Sequence, residues 1–384
     1  MRYAMIMAGG AGTRLWPMSR KGTPKQLIKF IPAPGEPADT ASISLLDLAA
    51  RRLEGLIDPS RRYICTSESY RGAIARDIPG FAGTNGDARI LGEPVGRDTV
   101  NAVALGAAVL AKIDPEAVFA VLTADHIIEP MDVFRERMDL GFRLVEQDDR
   151  RLVTFSIKPT YPATGFGYVE RGTPIRGLAG TGVDGHHLAF HVERFVEKPD
   201  LPKAQAYVES GGFGWNSGMF VWKARTFLEA LKKYKPANYE GIMRLQAAWG
   251  TPDQAAVLAE VYPQLEKISV DYAVMEPITK TRDKQFSVCT VQMDLRWLDV
   301  GSWPSYGETV APDEAGNRLV GQTVPTVVKG RNNLVVCSVP GHTVAVLGVD
   351  DLIIVHTADA TLVMPRARAE ELKDLHGKVD EKLR

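Results

Sequence analysis

Several polar stretches of this 384-residue chain carry the residue types that phosphate chemistry needs. The first is AGGAGTRLWP, Ala8 to Pro17, which directly follows a short apolar run and is itself followed by PKQL from Pro24. The backbone N–H groups of such a loop, over Ala8, Gly9, Gly10, Gly12 and Thr13, form an anion nest, and Arg14 and Lys25 supply positive charge. It fits neither common glycine template. The third glycine of G-x-G-x-x-G is Leu15 here, and the Gly-Lys-Ser/Thr that closes a P-loop is replaced by Thr13 and Arg14 after Gly12. Both templates place a long helix behind the loop, so that its N-terminus meets phosphate. Pro17, Pro24 and the polar MSRKGT between them disfavour that helix. The loop must then cradle phosphate by itself. A plain glycine turn with surface cations is the competing reading, and Arg14, Lys25 and PKQL together weigh against it.

LTADHII places Asp125 and His126 at the end of an apolar run. A carboxylate there suits Mg²⁺, which takes oxygen ligands and usually only one or two protein carboxylates beside substrate phosphates. A turn-forming aspartate is the alternative. Asp299 in RWLDVGSW, also at a motif edge, is the candidate second ligand, and His126 reads as a supporting residue. In FVEKP, Pro199 keeps Lys198 out of a regular helix. Lys198 can contact a sugar phosphate while Glu197 accepts from a hydroxyl, or the two form a solvated ion pair at a strand end. GFGYVE and GWNSGMF combine glycine, aromatics and Asn216, whose amide both donates and accepts. A sugar pocket needs that mixture, and core packing explains part of it equally well.

The elements that must position these groups follow from the apolar pattern. YAMIMA, RRYICT, ARILGEP, AVFAVLTADH and RLVTFSI read as strands. SISLLDLAARRLEGLI, ESYRGAIARDI, DTVNAVALGAAVLAKI and MDVFRERMDLGFRLVEQ read as the helices between them, the first with Leu45, Leu48, Leu53 and Leu56 near one face. Such alternation predicts an α/β fold around a mixed, mainly parallel sheet, with ligands at the carboxyl ends of the strands, where GGAGTR, GEPVGRD and ADH fall. From Lys158 the texture suggests antiparallel strands and turns lying over the sheet, then helices. After Gly316 helical spacing gives way to short β-rich runs split by Gly, Pro, Asn and Asp. We therefore expect a catalytic domain over 1–312 and a small β-rich domain over 313–384, closed by the polar helix RAEELKDLHGKVDEKL.

Composition narrows the function class. Forty-six basic and 47 acidic residues give a net charge of −1, which provides no bulk positive field for nucleic acid or a membrane surface. Cys65, Cys289 and Cys337 are widely spaced and show no CxxC pattern, which argues against a disulfide framework or zinc site and for a reducing compartment. YAMIMA is too short for a signal-peptide core, and AVALGAAVLA is about half of a membrane span of ~20 residues. The expectation is a soluble, cytoplasmic protein.

MAGGAGTRLWPMSRKGTPKQ closely resembles the signature loop of the sugar nucleotidyltransferases, and among them the mannose-1-phosphate guanylyltransferase family. GEPVGRDT, TADH, GFGYVE, FVEKP, WNSGMF, SVDYAVMEP and WLDVGSW extend the resemblance along nearly the whole chain. It implies a Rossmann-like nucleotidyltransferase domain with a β-helix-like C-terminal piece. It also implies transfer of GMP from GTP to mannose 1-phosphate, with Mg²⁺ or another divalent cation bound by Asp125 and Asp299. The loop residues would bind nucleotide with Asp125. Glu93 would accept from the guanine N1–H and N2–H₂, a task a backbone carbonyl could share, and Arg97 would approach phosphate. Many relatives have Asn where this chain has Asp98. Gly165, Tyr168, Glu197, Lys198 and Asn216 would take the sugar phosphate, and Arg14, Lys25, Asp125 and Lys198 would carry the catalysis. The alternatives are another sugar 1-phosphate pair, such as glucose 1-phosphate with UTP or dTTP, and a catalytically silent regulatory homologue. The second would have lost one of these charged groups, and all are present. Leu15 weighs against a hydride-transferring dehydrogenase. About seventy residues after the boundary are too few for a second catalytic core of ordinary size, so a single activity is expected. The C-terminal domain packs either on the first domain or on a second subunit of a homodimer.

Overall fold

The first apolar runs become parallel strands because both faces of each are buried. In the computed structural model, which describes residues 1–10, 12–31, 42–78, 80–81, 88–176 and 187–384, these are β1 (Arg2–Met7), β2 (Arg62–Ser67), β3 (Ile90–Glu93) and β4 (Val118–Thr123). β1 pairs in parallel with β2 and β4, and β2 with β3. The sheet continues through β5 (Arg151–Ile157), β6 (Tyr168–Pro174), β7 (Ala189–Val196), β8 (Phe213–Lys223) and β9 (Ser287–Met293). Its nine strands run in the order β3-β2-β1-β4-β8-β5-β9-β7-β6.

The antiparallel strands expected to lie over the sheet are part of it. β8 runs antiparallel between β4 and β5, and pairs also with β6, so that β8, β5, β9, β7 and β6 close on one another. Ten of the eleven β8 residues are buried, so the strand has no alternating pattern to betray its central place.

Helices Asp98–Ile113 and Met131–Gln147 span the residues their periodicity predicts. The first is buried from Val100 to Leu110 and packs on helices Ala224–Tyr234 and Pro236–Ala248. The helix expected over 42–57 is shorter, Leu45–Arg51. Ser44 Oγ accepts from Asp47 N–H at its start. Beyond Arg51 the chain closes i→i+3 turns instead, Leu53 N–H to Ala50 C=O and Leu56 N–H to Leu53 C=O.

The chain divides into two compact units. One comprises 1–9, 49–124 and 128–297; the other comprises 10–48, 125–127 and 298–384. The chain passes between them inside three of the motifs, at Gly9–Gly10, at Ala124–Asp125 and at Trp297–Leu298. The second unit holds a four-stranded sheet of Arg318–Val320, Leu334–Cys337, Leu352–His356 and Thr361–Pro365, its first three strands parallel. A parallel pair, Thr326–Val328 with Ala345–Leu347, completes the short rungs of a β-helix-like module. The closing segment is not one helix. It is a 3-10 stretch Arg366–Glu371 with non-helical angles at Arg368, a short α-helix Leu372–His376, and a turn Glu381–Leu383. Among the described residues no helix is long and apolar enough to cross a membrane, and all three cysteines are buried and free.

Candidate active site

Within the second unit, the signature loop is divided between anchor and site. Leu15 and Trp16 are buried in one core with Trp303, Tyr306, Leu334 and Ile353. The Trp16 indole donates to the Leu383 carbonyl at 2.7 Å, and the Trp303 indole donates to the Trp16 carbonyl at 2.8 Å. The C-terminal module thus packs on the signature segment of its own chain. The apolar half of RLWP fixes the loop, and the polar half is left to do chemistry.

Gly12 turns the loop with φ +67°, in the left-handed region, and Ser19 Oγ donates to its carbonyl at 2.8 Å. Thr13 then opens a 3-10 turn, Thr13–Leu15. Lys25 stands on a second turn, Lys25–Leu27, behind Pro24, and it is buried. A Cβ at position 12 would lie 2.5 Å from Lys25 Cβ, and one at Gly10 3.3 Å from Gln26 Nε2. Gly12→Ala therefore has two costs: about 1–2 kcal/mol of left-handed strain, and displacement of the Lys25 stem. A lower melting temperature together with a more than tenfold loss of pyrophosphate release is expected. Thermal unfolding and the release assay on the same preparation check it.

The Lys25 ammonium donates to Asp125 Oδ2 at 2.7 Å and reaches the Val300 carbonyl at 3.5 Å. Val300 N–H donates to the Asp125 carbonyl at 2.9 Å, which places Asp299 beside Asp125. One ligand atom each from Asp125, His126 and Asp299 lies within 4.8 Å of the others. Burial alone would raise the Asp125 carboxyl, but Lys25 and His126 outweigh it and hold it below the usual range. Two carboxylates and an imidazole at this spacing are a donor set that suits a divalent cation. Arg14 Nη1 donates to both oxygens of Glu370, each at 3.0 Å, while Arg14 and Asp299 flank Gly301. Glu370 carried no signal in the sequence.

Within the first unit, two further groups form. Ala8 accepts from Thr66 Oγ1 at 2.9 Å, and Glu93 Oε2 lies 3.3 Å from where a Cβ on Gly9 would sit. Glu93 is buried, burial raises its carboxyl, and its Oε1 accepts from the Tyr262 hydroxyl at 2.6 Å. The Arg97 guanidinium donates to the Pro263 carbonyl, so its charge is already turned toward protein. Asp98 begins its helix with φ +65°, where Asn and Asp are the side chains best tolerated, and its Oδ1 accepts from Thr99 N–H at 2.8 Å.

The other group gathers residues expected on the sugar side. Lys198 takes φ +44° and donates to Glu197 Oε1 at 2.5 Å. Burial lowers the Lys198 pKa, but Glu197 outweighs that and raises it overall. Gly167 makes room for the other Glu197 oxygen, since a Cβ there would fall 2.5 Å from Oε2. Asn216 Oδ1 accepts from Thr154 Oγ1 at 2.8 Å and from Gly218 N–H at 3.3 Å, while Nδ2 donates to Asp271 Oδ1 at 2.9 Å. Gly165 has open space beside it. Tyr168 is fully buried, and its hydroxyl donates to the Ala163 carbonyl, so it braces the loop from behind. Phe166 packs edge-on to Trp215 at 5.2 Å and to Trp297 at 5.0 Å. Asp271 was missed, although it lies in the SVDYAVMEP stretch.

Known proteins resemble this chain in sequence and in fold. The nucleotidyl transferase family profile matches residues 3–315, and a MannoseP isomerase/GMP-like beta-helix domain profile matches 323–378. The chain belongs to the nucleotidyl transferase family. A mannose-1-phosphate guanylyltransferase of Klebsiella pneumoniae is 37% identical over 376 residues, covering 97% of this chain and 73% of the relative. One from Escherichia coli K12 is 36% identical, covering 97% and 72%. A crystal structure from Thermus thermophilus, described as a mannose-1-phosphate geranyltransferase, superposes with a TM-score of 0.79 at 30% identity, covering 98% of both chains. Within the nucleotidyl transferases, then, the chain is a member of the mannose-1-phosphate guanylyltransferase family.

Proposed function

We propose that this chain converts GTP and mannose 1-phosphate to GDP-mannose and pyrophosphate. The observation that carries the reading is the Lys25–Asp125–Asp299 group behind the signature loop, in a chain whose relatives of that name align over nearly its full length. An oxygen of the sugar phosphate attacks the α-phosphorus of GTP in line, and the bond from that phosphorus to the β-phosphate bridging oxygen breaks. The nucleophile is largely dianionic near neutral pH, since a phosphate monoester has its second pKa about 6, so no general base is required. Positioning and charge neutralisation remain. Lys25 and Arg14 take the leaving pyrophosphate, the loop N–H groups hold the nucleotide, and Lys198 with Glu197 holds the sugar phosphate. A divalent cation, Mg²⁺ in this reading, would be held by Asp125 and Asp299 and would supply charge neutralisation at the phosphate oxygens.

Pyrophosphate release with GTP, UTP, dTTP and ATP, each crossed against mannose, glucose and N-acetylglucosamine 1-phosphates, tests this directly. Highest turnover with GTP and mannose 1-phosphate is expected. Preference for UTP or dTTP with glucose 1-phosphate would replace the substrate pair, and no release with any pair would make the chain a silent homologue.

Glu93 is assigned to the guanine edge. Glu93→Gln swaps one acceptor for a donor, so the GTP-over-ATP ratio of kcat/KM is expected to fall about 10–100-fold, as for the loss of a bidentate base contact. An unchanged ratio assigns base reading to a backbone carbonyl. We place the catalytic and C-terminal domains at 1–312 and 313–384, the enzyme in the cytoplasm, and a second copy of the chain as its candidate partner.

A further inference from the structure

We propose that Asp271 binds the sugar directly, its Oδ2 accepting a ring hydroxyl of the sugar phosphate while Asn216 holds the carboxylate in place. The inference rests on the proposed reading of the Asn216–Glu197–Lys198 group as the sugar side. Asn216 cannot supply the acceptor itself. Its Oδ1 already receives Thr154 Oγ1 and Gly218 N–H, and the second of these donors fixes which end of the amide is oxygen. Its Nδ2 is spent in part on Asp271 Oδ1 at 2.9 Å. What this chain of bonds delivers is a carboxylate held by a buried strand at Oδ1 and by its own backbone N–H, with no other described residue bonded to Oδ2. Asp271 stands at the start of a π-helical turn, Asp271–Met275, a local widening that is frequent at functional sites.

The charges around it supply a signature. Asp271 faces Glu197 and Lys198 from the FVEKP turn and Asn216 from β8, and the hydroxyl of its neighbour Tyr272 reaches the Glu197 carbonyl at 3.5 Å. Burial and then Glu197 push the Asp271 carboxyl up to about 7, against the lowering pull of its own backbone N–H, Lys198 and Asn216. Below that pH the carboxyl is protonated and is a poorer acceptor. Above it the ionised form takes the hydroxyl. Sugar binding therefore releases the carboxyl proton to solvent, and KM for the sugar phosphate falls as pH rises through about 7. The second ionisation of the sugar phosphate, about 6, adds a separate slope to every variant alike.

Asp271→Asn is compared with wild type through KM for mannose 1-phosphate and KM for GTP across pH. The expected result is a sugar KM raised about tenfold or more, a GTP KM within about twofold of wild type, and loss of the inflection near 7 with the lower slope kept. An unaltered sugar KM, or an inflection retained in the variant, overturns the proposal. If the variant fails to bind GTP, the wild-type protein decides: calorimetry of mannose 1-phosphate binding at pH 7 in two buffers of different ionisation enthalpy is expected to read about half a proton released. No release beyond the ligand's own overturns it. Wild-type turnover of GTP and mannose 1-phosphate with either negative result leaves the proposed function standing; absence of turnover with every sugar phosphate removes that reading and this one together.

Discussion

Replacing Lys25 by Met is expected to lower kcat/KM for pyrophosphate release by about a thousandfold or more, since one preorganised donor at developing charge is worth about 10²–10³ and the change removes a full charge besides. Met keeps the length of the stem that packs against Gly12, so the substitution isolates the ammonium. Two losses then add. The pyrophosphate leaving group loses a cation from the loop that holds it. Asp125 loses the partner 2.7 Å away that, with His126, outweighs its burial, so its carboxyl rises and its charge is left without its nearest counter-ion. Breaking a buried pair by removing one partner costs about 3–5 kcal/mol, and the 25% exposure of the Asp125 side chain puts this pair toward the low end. Lys25→Arg is expected to rescue little, because the larger guanidinium must enter the space bounded by Gly12, Asp125 and Val300. Single-turnover kinetics and melting temperature measured together separate the effects: a Met variant that melts lower yet turns over at the wild-type rate would leave Lys25 a purely structural role.

How legible these features were in the sequence depended on how far away their partners lie. Helices 98–113 and 131–147 were readable because sixteen or seventeen residues of regular spacing outweigh any local ambiguity. Asp125, Lys25 and Asp299 were readable as types, since a carboxylate at a strand end and a lysine behind a glycine loop have few structural uses. Asp125 and Asp299 were also expected together as a metal pair, but the Lys25–Asp125 contact was not, because it joins residues far apart in the chain. The roles of Leu15 and Trp16 were hidden for the same reason: Trp303, Leu334 and Ile353 bury them from the far end of the chain. Asn216 was singled out for an amide that can donate and accept, but its acceptor is consumed by Thr154 and Gly218. In the proposed reading the acceptor passes to Asp271, in a stretch that the sequence marked only as part of the resemblance and that presents it on a π turn. Tyr168 was singled out as an aromatic beside glycines, and burial turned its hydroxyl to the backbone instead. In each case the residue type was informative and the direction of the side chain was set by a distant neighbour.

Asp299→Asn is expected to cost about a hundredfold or more in kcat/KM at limiting Mg²⁺ and to recover in large part as Mg²⁺ is raised, because the loss falls on cation affinity. Asp125 Oδ2 is committed to Lys25, which leaves Asp299 as the carboxylate of the cluster that no lysine holds among the described residues. The amide keeps the carboxylate's shape and removes one negative charge, so the packing around Gly301, with Arg14 on its other side, is kept. A chelator is expected to abolish wild-type turnover, and a Mg²⁺ titration of both proteins gives the readout. Unchanged activity and unchanged Mg²⁺ dependence in the variant would remove Asp299 from the metal site. The two substitutions also check each other. Both belong to one cluster, yet only the Asp299 defect should yield to excess cation, since an added ion can refill a weakened site but cannot replace an ammonium fixed behind Gly12. If excess Mg²⁺ restored the Lys25 variant equally, then Lys25 would act only by tuning Asp125, and the leaving pyrophosphate would be carried by Arg14 and the metal alone.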